Sequence, residues 1–324
     1  MLKNAQKPAS LSRRVHSPVT VTPTLAPRSR KTPPPLTFAR YSLAKATRPD
    51  QNEDRILSLP RTSLGAVFDG VGGEDGYIGS LVASQTVRSH WKKVLSVRQV
   101  STNDEENDAS NIDLLLLLEY VILQAHHRLC AESTRRTKED GTPLRPCTTI
   151  ALAAIDYQPS SSECRLLCAH VGDSRIYLLK ANGDFHRLTD DDGFFSLLVA
   201  REMLTLEDAW RIDQASDASQ LSQLERAYFE RRNGITQALG DQVEPVVHLA
   251  ELTFEPGDRA LLCTDGVHDN LTDIEIAAIM RSSARTTAAK KLVQHALEFS
   301  LQEHQGVLRA KQDDISALVI SRNY

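Results

Sequence analysis

The chain has 324 residues, 41% of them apolar and 25% charged, with a formal net charge of −4, enough to bury one large core or two small ones. Seven basic residues and no acidic one fall in residues 1–35, so the remaining chain carries 31 basic against 42 acidic residues. A body that acidic argues against nucleic-acid binding, and five scattered cysteines exclude a disulfide framework and fit a reducing, cytoplasmic setting.

Residues 1–35 also hold seven of the fourteen prolines, ending in Pro33-Pro-Pro35, and lack apolar periodicity. They are expected to form a disordered, basic tail. From residue 36 onward an α/β pattern is expected to continue to residue 324. Short runs rich in Val, Ile and Leu predict strands at 56–59, 64–68, 148–155, 165–171, 175–179, 246–254, 259–263 and 315–321. Apolar residues at helical spacing predict helices over 77–97, 112–134 and 288–303. No apolar run reaches the length of about 18 residues expected of a membrane span. Ala181-Asn-Gly-Asp184 reads as a hairpin turn. Residues 193–233 read as an insertion with helices over 194–210 and 221–232, separated by a polar stretch at 214–220. Short turns between strands, with helices in pairs, imply sheet packed on sheet with helices outside. His126-His127 read as surface or cap residues, and Cys164, Cys168 and Cys263 as buried.

Three aspartates end three separate apolar segments: Asp69 in Gly65-Ala-Val-Phe-Asp-Gly-Val-Gly-Gly73, Asp265 in Leu261-Leu-Cys-Thr-Asp-Gly266, and Asp313 in Gln312-Asp-Asp-Ile-Ser316. Two are followed by glycine, which permits close approach of backbone or ligand. Gathering carboxylates is costly unless cations lie between them, and hard oxygen ligands favour Mg²⁺ or Mn²⁺. With Asn52-Glu-Asp54 as a fourth acidic element, the pattern suggests a two-metal site that activates water.

These segments, in this order, resemble the metal-dependent serine/threonine protein phosphatases of the type-2C (PPM) family, in a bacterial style. Val171-Gly-Asp-Ser-Arg175, Ile235-Thr-Gln-Ala-Leu-Gly240 and Pro256-Gly-Asp258 extend the likeness, which covers about residues 36–324. The resemblance implies a four-layer α-β-β-α sandwich of two mainly antiparallel sheets, with two Mn²⁺ or Mg²⁺ ions at one end. It implies hydrolysis of phosphoserine and phosphothreonine in proteins by a metal-bridging water, without a phosphoenzyme. It further implies a monomer whose partners are phosphorylated proteins and an opposing serine/threonine kinase. Asp69, the Gly70 carbonyl, Asp265 and Asp313 would hold metal, Glu53 and Asp54 would hold metal-bound waters, and Arg48 would clamp phosphate. Arg40 and Arg55 are alternatives for the clamp. Val71 stands where eukaryotic members carry histidine, and Pro49 displaces Arg48 by one residue. Asp173 is expected to serve structure through a turn or a bond to Arg175. No third metal site is expected. A non-catalytic, phosphatase-shaped binding module is the alternative reading.

Overall fold

The computed structural model describes residues 35–72, 74–101, 113–138, 141–158, 163–303 and 307–324. The tail expected over residues 1–35 lies, but for Pro35, outside them. Residues 102–112, a polar and acidic stretch that reads in sequence as an exposed loop, are likewise outside them.

Two five-stranded antiparallel sheets form the centre. One runs β1 (Leu36–Leu43), β12 (Ile315–Arg322), β11 (Arg259–Cys263), β8 (Arg175–Leu179) and β9 (Phe185–Arg187). The other runs β10 (His248–Thr253), β7 (Glu163–Val171), β6 (Ile150–Gln158), β3 (Leu64–Phe68) and β2 (Arg55–Leu59). A small ribbon pairs β4 (Gly70–Val71) with β5 (Cys147–Thr148). Strand alternation sends Val67, Ala151, Ala153, Cys168, Ile176, Leu178, Leu262 and Leu318 into one buried cluster between the sheets. At Gly65 the sheets come so close that a Cβ would lie 2.5 Å from Leu318.

Helices α1 (Glu74–Ser101) and α2 (Leu114–Arg135) cover the second sheet. Helix α2 is long and apolar enough to cross a membrane by length and composition alone. Here Leu117, Leu118, Val121, Ile122 and Leu129 face the core beneath it, and its buried Glu132 pairs with Arg128 and Arg136 at 2.7 and 2.9 Å. The first sheet is covered by α7 (Asp273–Ser282) and α8 (Ala288–Ser300), through Ile276, Met280, Leu292, Val293 and Ala296. The expected four-layer sandwich is the fold observed.

Local differences have local causes. Strand β1 is half-buried on an edge, so its alternation is weak in sequence. Helix α7 begins with Thr272 and Glu275 in a reciprocal capping box, a signal the sequence reading passed over. The expected helix over 194–210 is two, α3 (Phe194–Ala200) and α4 (Leu206–Asp213), because Glu202 takes a left-handed conformation and Thr205 caps a new start. The 221–232 helix shortens to α5 (Gln223–Phe229), capped by Ser222. His126 is buried and accepts a hydrogen bond from the Gly240 amide at 3.2 Å, whereas His127 is exposed. Hairpin 181–184 joins β8 to β9 as expected.

Candidate active site

Asp69 leaves β3 at the sheet end and enters a turn held by close backbone contact. A Cβ on Gly70 would lie 2.3 Å from the carbonyl oxygen of Gly76 in α1, so no other residue fits. Asp265 leaves β11 to open the short turn of helix α6 (Asp265–His268). A Cβ on Gly266 would lie 2.0 Å from the carbonyl oxygen of Asp314. Both Asp-Gly steps thus work by allowing chain segments to touch.

One cleft is lined by Asp69, Gly70, Asp265 and Asp313, and also by Val71, Thr149, Asp173, Asn233 and Ile235. The structure therefore gathers all four residues expected to hold metal. Asp314 points elsewhere: its carboxylate accepts from the amides of Lys45 at 2.8 Å and Glu53 at 2.6 Å. Adjacent residues of an extended segment face opposite ways, which separates Asp313 from Asp314. Asp54 is buried behind the cleft and accepts from the Thr264 hydroxyl at 2.8 Å. Glu53 is buried beside it.

Arg48 is not in this cleft. Its side chain is 55% exposed, stands 3.9 Å from Glu53, and lines a neighbouring open cavity with Pro49, Asp50, Gln51, Gly72 and Tyr77. Of the alternatives, Arg55 is spent on the carbonyls of Asn52 and Asp54 and on the face of Tyr77, and Arg40 is exposed on β1.

Of the two tasks expected of Asp173, it sits in the bend before Arg175, but the bond to Arg175 is not the one formed. Arg175 pairs instead with Asp191 and Asp213, at 2.6 and 3.1 Å, and Asp173 joins the cleft. The sequence reading also missed Lys311 and Asp269. The Lys311 ammonium lies 2.6 Å from Asp265, 2.8 Å from Asp269 and 3.0 Å from Asp313. Both have a local signal. Lys311 is two residues from Asp313 on an extended segment, and Asp269 is one helical turn beyond Asp265.

Burial raises the carboxyl groups of Asp69, Asp54, Asp173 and Asp265 above the usual range, and their mutual repulsion adds to it. Burial would raise Asp269 too, but Lys311 and Arg232 hold it below the ordinary value. His268, buried with its Nε2 3.1 Å from the Asp173 carbonyl, is pushed down to about 4 by burial and by Arg175. Oδ1 of Asp54 and Oδ1 of Asp265 are buried without a hydrogen bond. Converging, desolvated carboxylates with orphaned oxygens, served by one ammonium, fit hard divalent cations.

A family model described as protein phosphatase 2C matches residues 46–302. Serine/threonine protein phosphatase PstP of Mycobacterium tuberculosis is 29% identical over 247 residues, 76% of this chain. The chain spans only 39% of that relative's length. The serine/threonine phosphatase stp of Listeria welshimeri is 25% identical over 264 residues, covering 79% of this chain and 83% of the relative. Among solved structures, the Mycobacterium tuberculosis phosphatase PstP/Ppp superposes with a TM-score of 0.63 at 24% identity, over 89% of this chain and 99% of that one. A structure of the PstP catalytic domain in complex with two manganese ions gives 0.60 at 26% identity, over the same shares.

Proposed function

The chain belongs to the protein phosphatase 2C family, and on that premise we propose that it hydrolyses phosphoserine and phosphothreonine esters in proteins, using two Mn²⁺ or Mg²⁺ ions. The observation that carries this reading is the convergence of Asp69, Asp265 and Asp313, from three distant segments, on one cleft. Asp69, Asp265, Asp313 and the Gly70 carbonyl would hold the ions. When bound, the ions would acidify water and offset charge on the phosphoryl oxygens.

The chain's own groups have distinct tasks. Thr264 orients Asp54, and Asp314 holds the backbone amide of Glu53, which anchors this acidic segment beside the cleft. Lys311 holds Asp265 and Asp313 together against their repulsion. Val71 on the cleft wall has no proton to give, and His268 stays neutral near pH 7, so the proton for the leaving alkoxide would come from a metal-bound water or another group of the cleft. Arg48, an exposed guanidinium beside Glu53 in the neighbouring cavity, would be the group that grips phosphate oxygens. An opposing serine/threonine kinase would supply the phosphorylated proteins.

The test is release of inorganic phosphate from a phosphothreonine peptide by the full chain, with and without Mn²⁺. Mn²⁺-dependent turnover supports the reading. A chain that folds, binds Mn²⁺ and releases nothing would be the non-catalytic module instead.

A further inference from the structure

Away from the aspartate cleft, β7 and β10 place His170 and His248 directly opposite each other on the sheet edge. Their rings stack with centroids 4.7 Å apart. The Nε2 of His248 is 2.9 Å from Oδ1 of Asp192, which begins the return of the chain into the 193–233 insertion. One ring nitrogen of each histidine and one oxygen of Asp192 lie within 4.8 Å of one another.

Two of these three groups are already braced by backbone. The Gly172 amide donates to Oδ2 of Asp192 at 2.9 Å, and the Nε2 of His170 is 2.9 Å from the Asp190 carbonyl. Such outer partners fix carboxylate and imidazole ligands in metal sites. His170 is buried, and burial together with His248 pushes its pKa down, which keeps its ring in the neutral, lone-pair form. His248 is exposed and can turn. A tetrahedral ion with bonds of about 2.0–2.1 Å holds its ligand atoms about 3.3 Å apart, so the cluster needs to contract modestly, mainly through His248. Two imidazoles and one carboxylate suit a borderline ion such as Zn²⁺, whereas Mg²⁺ prefers the all-oxygen cleft.

We propose that His170, His248 and Asp192 form a second metal site, of Zn²⁺ class, that pins the root of the 193–233 insertion to the β7–β10 edge. Asp192 is the right anchor for this. Its carbonyl accepts from the Thr236 amide at 2.8 Å, and the next residue, Gly193, bridges Ile235, so both ends of the insertion meet there. Its amide bonds the carbonyl of Gly172, which precedes Asp173 of the cleft.

The experiment is Zn²⁺ titration of the full chain in excess Mg²⁺, by calorimetry, with hydrogen exchange of residues 193–236 as a second readout. Wild type is compared with His248→Ala, whose exposed position spares the fold. A melting temperature matching that of wild type confirms this, and Asp192→Asn provides a second ligand variant. The expected result is one Zn²⁺ per wild-type chain, about tenfold or more weaker in both variants, with exchange slowed by Zn²⁺ in wild type only. Equal Zn²⁺ affinity in wild type and His248→Ala, or exchange unaffected by bound Zn²⁺, overturns the proposal. Neither readout depends on phosphatase activity.

Discussion

Two acidic clusters meet around the Gly172-Asp-Ser-Arg175 turn, and they solve opposite problems. In one, Asp191 and Asp213 close on Arg175 at 2.6 and 3.1 Å, with Arg187 behind them at 3.1 and 3.6 Å. Burial would raise both carboxyls, yet the two guanidinium groups hold them below the ordinary range. In the other, Asp69, Asp173 and Asp265 face one another with Lys311 as their cation, and burial with repulsion holds them above it. Both are buried and aspartate-rich. The difference is whether the protein brings its own counter-charge. A balanced cluster is finished structure, and on the proposed function the unbalanced one would take its missing charge from cations in solution.

The sharpest way to break this contrast is Asp265→Asn. Mn²⁺-dependent turnover should fall by far more than tenfold while the melting temperature hardly moves, since the group works as a ligand in the cleft. Turnover at a tenth of wild type or above, at saturating Mn²⁺, would remove Asp265 from the metal shell.

Arg175→Met tests the balanced side. Leaving Asp191 and Asp213 without their main partner should cost about 3–5 kcal/mol of stability, the usual penalty for breaking a buried pair. Chemical unfolding measures it. A cost below about 1 kcal/mol would mean that Arg187 suffices and that the cluster is over-built.

Arg48→Ala should raise KM for a phosphopeptide roughly ten- to a hundredfold, as expected of a lost bidentate phosphate contact worth about 1.5–3 kcal/mol. Its Mn²⁺ affinity should change less. Because Arg48 lies outside the carboxylate cleft, unchanged KM and kcat are the outcome that would strike it from the site.

The mildest expected effect is on pH. Asp54, Asp69, Asp173 and Asp265 have folded pKa values above those of the unfolded chain, so the metal-free fold binds extra protons and loses stability as pH rises above about 4. Cations relieve that strain only when the groups are deprotonated. The melting temperature gained on adding Mn²⁺ should therefore be larger at pH 7.5 than at pH 5 in thermal scans. A gain that is flat across that range would show that the carboxylates are already ionised without metal.

The strands and the three aspartate-bearing turns could be read from the chain because both are written in short windows, whereas the four-layer arrangement came with the family resemblance. Strand β3 and its Asp69-Gly70 turn need only five apolar residues followed by a carboxylate and a glycine. The same holds for β11 with Asp265. Alternation predicts that Asp313 and Asp314 face different ways, but not which of them enters the cleft. What could not be read was pairing across distance. Arg175, two residues from Asp173, has no local reason to choose Asp191 and Asp213 over it, and only the approach of β9 and α4 makes that choice. Lys311 and Asp269 belong to the cleft because the 307–314 segment is tied to α6, where Asn270 holds the Lys311 backbone at 3.0 Å in both directions. The pairing of His170 with His248 depends on which strand takes the edge of the sheet. Local pattern determines where a carboxylate is presented. Charge pairing depends on distances between segments far apart in the chain, and those are set only when the two sheets close on each other.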